Sequence, residues 1–226
     1  GLDWANRDWG VNLQLPYLQR SHGTLADGDT DVSSSDASGM GDMRITARYQ
    51  GFFADRSFGV MAGVKLATGD FHQTFESGPQ AGGALDRGLQ RGTGTTDGII
   101  GVYHYTALSR DWDLFEQAQF KGALGAREDF RPGNQWIANV GLRYVGAGAW
   151  IPQAQLNYKH EAQESGAQAD QPNSGSDELY LSPGLAWRAS RPLALYGFVQ
   201  LPLYRRYTGL QLAPEYSVTT GVRYSF

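Results

Sequence analysis

Strict alternation of side-chain character over the last eleven positions, 216–226, restricts the possible folds more than any other feature of the chain. Apolar and aromatic side chains, with one threonine, share one side of an extended strand: Tyr216, Val218, Thr220, Val222, Tyr224 and Phe226. Small, polar and cationic ones share the other: Ser217, Thr219, Gly221, Arg223 and Ser225. Because successive side chains of a strand point to opposite faces, this segment predicts a β-strand with one apolar and one polar face. The apolar face meets either a protein core or lipid.

Similar segments recur along the whole chain and predict about ten strands, separated by turn-forming residues. The predicted strands cover residues 8–19, 40–53, 57–68, 96–108, 112–125, 135–146, 149–161, 178–189, 193–205 and 215–226. Short connections at 54–56, 109–111, 146–148 and 190–192 alternate with long ones at 20–39, 69–95, 126–134, 162–177 and 206–214. Short turns at one end and long loops at the other are typical of a membrane barrel, whereas a β-sandwich has no reason to sort its loops. Trp and Tyr near the ends of the apolar faces predict an interfacial girdle.

Composition allows a barrel and excludes a helical membrane protein, because no apolar run approaches the length of a spanning helix. The absence of cysteine fits a chain that crosses an oxidising periplasm, and no signal peptide is visible. The net charge of -4 argues against nucleic acid as a partner. We therefore predict one domain, residues 1–226, folded as an all-β, transmembrane, antiparallel up-and-down β-barrel. Bacterial barrels have even strand numbers, so the alternative to ten is twelve, with residues 1–6 forming the turn after a hairpin outside this chain.

Three stretches occur in an order that resembles a known family: GMGDMRITARY at 39–49, GVKLATGD at 63–70 and GTGTTDG at 92–98. They resemble the transporter-like outer-membrane family named for the meta-pathway of phenol degradation, although Ala67 stands where that family has Pro. The resemblance covers about residues 9–105 and implies a barrel that passes small, often aromatic, compounds. In addition, Phe226 with Tyr224 resembles the C-terminal signal of outer-membrane proteins, which implies insertion by the barrel-assembly machinery.

Basic residues collect on the polar faces that would line a lumen: Arg44, Arg48, Lys65, Lys121, Arg143, Lys159, Arg188 and Arg223. Few acids share these rows, so we expect a basic constriction that favours anions, as charged rings do in pores. The alternative is a plugged barrel whose polar interior is a network of salt bridges, since about ten strands leave a narrow bore. Asp42 and Asp97 begin lumen-facing rows and are expected to pair with Arg44 or Lys65 at the rim.

Catalytic and metal sites are not expected. A hydrolase needs a serine beside a histidine, and no serine has a recognisable spacing from the histidines at 22, 72, 104 and 160. His104 is expected to be an interior, hydrogen-bonded residue. Residues 27–31 begin like a calcium loop, but Val32 stands where glycine is required, so we predict an acidic solvated loop. The long loop 69–95 either folds into the lumen, touches a partner or stays a surface excursion.

The sequence thus predicts a passive channel or transport-associated protein of the bacterial outer membrane, passing small solutes that are anionic or aromatic. The first alternative is a structural barrel that encloses an envelope partner without transport. A lipid-modifying enzyme is the weaker alternative. The predicted partners are outer-membrane lipid, the barrel-assembly machinery, a small solute and an envelope protein, with no nucleic acid and no cofactor.

Overall fold

The computed structural model describes residues 1–25 and 28–225, which form mainly β-strands. The strands are β1 (Leu2–Ala5), β2 (Trp9–Gln14), β3 (Tyr17–Thr24), β4 (Ser33–Met40), β5 (Arg44–Tyr49), β6 (Phe58–Lys65), β7 (Asp97–Ala107), β8 (Trp112–Ala123), β9 (Gln135–Tyr144), β10 (Trp150–Glu161), β11 (Ser176–Arg188), β12 (Leu193–Tyr207) and β13 (Ser217–Tyr224). Two single-turn 3₁₀ helices, Arg87–Leu89 and Gln171–Asn173, lie in connections. Over the described ranges, no helix is long and apolar enough to cross a membrane.

One large antiparallel sheet forms the body of the molecule. It has 11 strands in the order β1-β2-β5-β6-β7-β8-β9-β10-β11-β12-β13, and β3 and β4 form a separate hairpin. A flat sheet of 11 strands would be about 50 Å wide, yet Arg223 on β13 interacts electrostatically with Asp3 on β1. The sheet therefore curls until its two edge strands approach each other. Within the described residues no hydrogen-bonded ladder joins them, and both run in the same direction because their number is odd.

Curling gives the sheet an inner, concave face and an outer, convex face. The difference is clearest on β7, where Ile99 is 1% exposed and its neighbour Ile100 is 60% exposed. Ile99 opposes Lys121 on β8, and Ile100 opposes Phe120. Following the register from strand to strand assigns the residues of the 11-stranded sheet to one face or the other. The inner face is mostly polar, and the outer face is mostly apolar and exposed, as the alternation predicts.

The two ends of the sheet differ in their connections, as predicted. The connections at the short-turn end are residues 6–8, 50–57, 108–111, 145–149 and 189–192. Those at the long-loop end are residues 15–43, which contain the β3–β4 hairpin, and residues 66–96, 124–134, 162–175 and 208–216. The interpretation of the chain as a meander with sorted loops is thus confirmed.

The first sixty residues differ from the prediction, and about ten strands is wrong, since the large sheet alone has 11. Residues 2–5 form β1 rather than a turn. The strand predicted over 8–19 stops at Gln14, before Pro16, whose ring removes a backbone donor. The predicted loop 20–39 contains most of the β3–β4 hairpin, whose polar serines give no alternation to detect. From β6 onward the predicted and observed strands agree within a few residues.

Aromatic rings on the inner face lie flat against the sheet because a glycine stands opposite each of them. Phe115 opposes Gly141 in the β8–β9 register, and a Cβ atom at Gly141 would come 2.2 Å from the Phe115 ring. The same arrangement joins cross-strand partners elsewhere: Tyr103 with Gly59, Phe198 with Gly184 and Tyr196 with Gly221. This explains why Phe115, Tyr196 and Phe198 interrupt the polar rows of the sequence. A ring over a glycine covers backbone that would otherwise be bare.

Candidate functional site

The candidate site is the inner face of the curled sheet, together with the loops at its long-loop end. The register places the following predicted residues on the inner face: Arg44, Arg48, Lys65, Asp97, Lys121, Arg143, Lys159, Arg188 and Arg223. Asp42 lies just before β5 at the long-loop end. Tyr224 lies on the outer face, opposite Leu193, and Phe226 falls outside the described residues.

A buried ion cluster, here called the loop-end network, holds the long-loop end together. Lys65 Nζ lies 2.9 Å from a carboxylate oxygen of Asp42 and 3.1 Å from one of Asp97, and it also hydrogen-bonds the hydroxyl of Thr93. The backbone N–H groups of Gly69 and Thr93 donate to Asp42 at 3.0 and 3.1 Å. The side chains of Lys65 and Asp97 are only 7% and 1% exposed. The network therefore ties the loop 66–96 to the sheet, and the expected pairing of Asp42 and Asp97 with Lys65 is present.

Four of the other inner-face cations have acidic partners, so the expectation of few acids on these rows is wrong. Arg48 forms a two-pronged pair with Asp3, with N–O distances of 2.7 and 3.0 Å. Arg143 lies 2.8 Å from Asp113. Lys159 lies 2.7 Å from Glu161 and 3.9 Å from Glu178, and Lys121 lies 3.8 Å from Asp97. The partners Asp3, Asp113, Glu161 and Glu178 were missed because strand register decides which acid faces which base. Only a register-aware comparison of neighbouring strands could have found them.

Three predicted lumen residues stand apart from these pairs. Within residues 1–25 and 28–225, Arg44, Arg188 and Arg223 have no carboxylate within ion-pair distance. Arg188 and Arg223 both flank Ala194 at the short-turn end, because Ala194 opposes Arg188 on β11 and Arg223 on β13. Arg205 also lies on the inner face, opposite Glu178, and donates to the carbonyl oxygen of Pro214 at 2.7 Å. Any surplus of positive charge on the inner face is therefore carried by these four side chains, rather than by the whole predicted set.

The loop 66–96 folds over the long-loop end and has a small core of its own. Phe75 and Leu85 are buried, and the amide of Gln90 donates to the carbonyl oxygens of Gln73 and Leu85 at 3.0 and 2.8 Å. The hydroxyls of Ser34 and Ser77 lie 2.6 Å apart, which joins this loop to the β3–β4 hairpin. The loop was predicted to fold into the lumen, touch a partner or stay on the surface. It contacts the inner face through the loop-end network, and the rest of it packs against neighbouring loops.

A stacked cation joins the loop 66–96 to the loop 124–134. The guanidinium of Arg87 lies 4.7 Å from the ring centre of Phe71 and 5.1 Å from that of Phe130, and it lies 3.3 Å from Glu128. Phe130 is 1% exposed. Further along, Arg131 pairs through its backbone with Ser165 of the loop 162–175. Successive long loops are therefore in contact around this end, and together they form what we call the loop layer.

One loop carboxylate is held in its charged form by local donors. The backbone N–H of His72 donates to Asp70 at 3.1 Å, and the guanidinium of Arg91 lies 3.0 Å from it. Both interactions favour the carboxylate, so they lower the pKa of Asp70 below its ordinary value. Arg91 also donates to the carbonyl oxygen of Ser38 at 2.6 Å, so this charge pair fastens the loop to the β3–β4 hairpin.

The histidines contact acids and aromatic rings. His72 lies 3.2 Å from Glu128, His104 lies 3.1 Å from Glu116, and His160 lies 2.8 Å from Asp177. His22 packs beside the Phe75 ring. Among the described residues no serine hydroxyl hydrogen-bonds a histidine, and the expectation of a protein without catalysis stays a prediction. His104 is hydrogen-bonded as expected, but it lies on the outer face, so its predicted interior position is wrong. Part of the acidic segment 27–31 falls outside the described residues, and Asp29 accepts from Gln80 at 3.2 Å.

Comparison with known proteins gives a likeness of fold. No family model matches the chain, and no curated protein matches it. The structure is similar to the COG4313 outer membrane channel from Pseudomonas putida F1, with a TM-score of 0.70 and 14% sequence identity, covering 98% of this chain and 78% of that one. The chain therefore has the fold of an outer-membrane channel. The resemblance to the family named for phenol degradation stays a prediction.

Proposed function

We propose that this protein is a β-barrel channel of the Gram-negative outer membrane that passes small solutes along its inner face. The observation that carries the proposal is the pair of aromatic levels on the outer face. Trp112 packs on Tyr144 at 5.1 Å near the short turns, and Phe120 packs on Trp136 at 4.7 Å near the long loops. A stacked pair, Trp150 with Trp187, extends the level near the short turns.

The spacing of these levels fits a bilayer. Trp112 and Phe120 lie on the same strand, eight positions apart, which is about 27 Å along the strand. A tilt of about 40° reduces this to about 21 Å, close to the apolar band of about 25 Å between aromatic girdles of outer-membrane barrels. The outer-face residues between the levels are mostly apolar and exposed, which suits lipid and does not suit water.

The polar inner face supports passage of small polar or aromatic solutes. Ion pairs neutralise most of its charge, so we propose that Arg44, Arg188 and Arg223 give a weak preference for anions. Rings lying flat over glycines, such as Tyr103 and Phe115, offer faces on which an aromatic solute can stack. The loop layer at the long-loop end favours a restricted entrance over an open pore.

Conductance in planar lipid bilayers tests this proposal. We expect discrete channels whose reversal potential in a KCl gradient indicates weak anion selectivity. Replacing Arg44, Arg188 and Arg223 together by Gln should weaken that preference. Arg206→Gln is the matched control, because Arg206 lies on the outer face against Asp177 and should leave selectivity unchanged.

Two results would reject parts of the proposal. The absence of channels from protein that is folded and inserted would favour the alternative of a structural barrel enclosing an envelope partner. Channels whose selectivity is indifferent to the triple substitution would reject the role of the three arginines. Insertion through the barrel-assembly machinery, with Tyr224 on the outer face of β13, remains part of the proposal and is tested by deleting the last three residues.

A further inference from the structure

The charged side chains of the inner face lie near the strand ends along β6 to β13. Each of them is no more than two positions from an end of its strand, as Asp113 and Lys121 are on β8. Between these two, the inner-face residues of β8 are Phe115, Gln117 and Gln119. The described strands therefore have two charged end zones on the inner face, and an uncharged middle zone separates them.

Amide side chains line this middle zone on three neighbouring strands. The inner-face carboxamides of β8, β9 and β10, here called the amide belt, are Gln117, Gln119, Asn139, Gln153, Gln155 and Asn157. Gln117, Asn139 and Asn157 stand directly opposite one another across the three strands. All six side chains are half-buried, so they face space that water can enter.

Four members of the amide belt use none of their hydrogen-bonding capacity inside the protein. In the described part of the chain, the belt side chains without a hydrogen bond are Gln119, Asn139, Gln153 and Gln155. Of the other two, Gln117 contacts the sulfur of a methionine, and Asn157 donates to the hydroxyl of Ser182 at 2.7 Å. A carboxamide has two donor hydrogens and an acceptor oxygen. The belt therefore presents unused donors and acceptors to the inner space.

An aromatic ring lies among these amides. The Phe115 ring lies over Gly141, and Gln155 stands directly opposite Gly141 on β10. Gln117 follows Phe115 by two positions on β8, and Asn139 precedes Gly141 by two positions on β9. Cross-strand neighbours are about 5 Å apart, and same-face neighbours along a strand are about 7 Å apart. A flat apolar surface is thus bordered by hydrogen-bonding groups on two sides.

We propose that the amide belt and the Phe115 ring bind neutral, polyhydroxylated solutes, such as small sugars, on their way through the channel. This inference rests on the proposed function and specifies its solute class. The C–H face of a sugar ring packs on an aromatic ring, which supplies apolar area. Its hydroxyls both donate and accept, and so do the carboxamides around Phe115. Hydrogen bonds to water are therefore exchanged for hydrogen bonds to the belt.

Other classes of solute fit this arrangement less well. A charged solute would leave the charged end zones for a zone that offers it no counter-charge. An apolar aromatic solute would cover the Phe115 ring, but it would displace water from the carboxamides without replacing its hydrogen bonds. A solute with an apolar face and hydroxylated edges satisfies both the ring and the amides.

Saturation-transfer NMR with sucrose tests the site in micelles of lauryldimethylamine oxide, a detergent that carries no sugar. We expect saturable binding of sucrose and weaker binding of gluconate and benzyl alcohol, the charged and aromatic probes. Replacing Asn139 and Gln155 together by Leu should raise the Kd of sucrose about tenfold, because two hydrogen-bonding groups beside the ring are lost. Gln168→Leu is the matched control, since it makes the same change in the exposed part of the loop 162–175. Asn139 and Gln155 have no partner to lose in the described structure, and heat-dependent gel mobility verifies that the variants are folded.

Each result decides for or against the site. A polar lining that is merely hydrated gives no saturable binding of sucrose, and that result overturns the site. Binding that is equally strong in the double variant also overturns it, and so does benzyl alcohol that binds more tightly than sucrose. Folded protein that binds sucrose through the belt but forms no channels in planar bilayers supports the site and contradicts the proposed function. Channels from protein that does not bind sucrose contradict only the site.

Discussion

Replacing Lys65 by Met removes the only cation in direct contact with both acids of the loop-end network in the described structure. Asp42 and Asp97 lie 2.9 and 3.1 Å from Lys65, and all three side chains are below 10% exposure. Removing one member of a buried ion pair costs about 3–5 kcal/mol, because the remaining charge is left without a partner. We expect the free energy of unfolding to fall by about that amount. The loop 66–96 should also become sensitive to trypsin at Arg87 and Arg91.

Urea unfolding in detergent micelles, followed by tryptophan fluorescence, measures the change. Lys121→Met is the matched control. Lys121 is largely buried and lies 3.8 Å from Asp97, which keeps Lys65. Its loss therefore leaves no buried charge without a partner, and we expect a loss of about 1 kcal/mol or less. Adding Asp97→Asn to Lys65→Met should recover part of the loss, because one uncompensated charge disappears. The reasoning is refuted if Lys65→Met destabilises no more than Lys121→Met, or if the double variant is as unstable as the sum of the two single ones.

Two further predictions concern the wall and the loops. Gly141→Val should lower the free energy of unfolding by about 1–3 kcal/mol, because its Cβ displaces the Phe115 ring; Phe115→Leu in the same chain should restore part of it, and a neutral Gly141→Val would contradict the packing described. Asp70→Asn should increase trypsin cleavage of the loop 66–96 at neutral pH. Because the pKa of Asp70 is lowered, its stabilisation is present above the ordinary carboxyl pKa of about 3.9 and is lost as the pH falls below it. The two proteins should therefore converge in acid, where pepsin replaces trypsin as the protease, and a difference that is independent of pH would exclude this role.

The sheet from β6 onward was predictable because each of its strands alternates over eight residues or more. Alternation reports burial on one face, and it needs several repeats to be recognised. β1 has only four residues and is too short to show it. The β3–β4 hairpin is rich in Ser and Gly and packs against loops, so neither of its faces is consistently apolar. Sequence patterns of this kind cannot detect a strand that is polar on both sides.

The inner face was predictable as a set of residues but not as a set of interactions. Alternation placed Arg48, Arg143 and Lys159 on the correct side. Their partners depend on which residues stand opposite one another, as Asp113 does with Arg143 across β8 and β9. Register follows from turn lengths and packing over the whole sheet, and a shift of one residue would exchange the faces. Because the face of β7 could not be fixed from the sequence, His104 was predicted to be interior. In the structure its neighbours Tyr103 and Tyr105 lie on the inner face, and His104 lies on the outer face.

Glycines opposite the inner-face rings have a consequence for the width of the enclosed space. A ring that stands upright from the wall reaches toward the axis by the full length of its side chain, whereas a ring lying over Gly141 or Gly184 occupies little more than its own thickness. The glycines thus determine how far the aromatic side chains protrude into the enclosed space. A mutation meant to widen or narrow the enclosed space is therefore better directed at the glycine than at the aromatic residue. A larger residue at Gly184 would turn the Phe198 ring inward, and the cross-section of the enclosed space would shrink without any change to the ring itself.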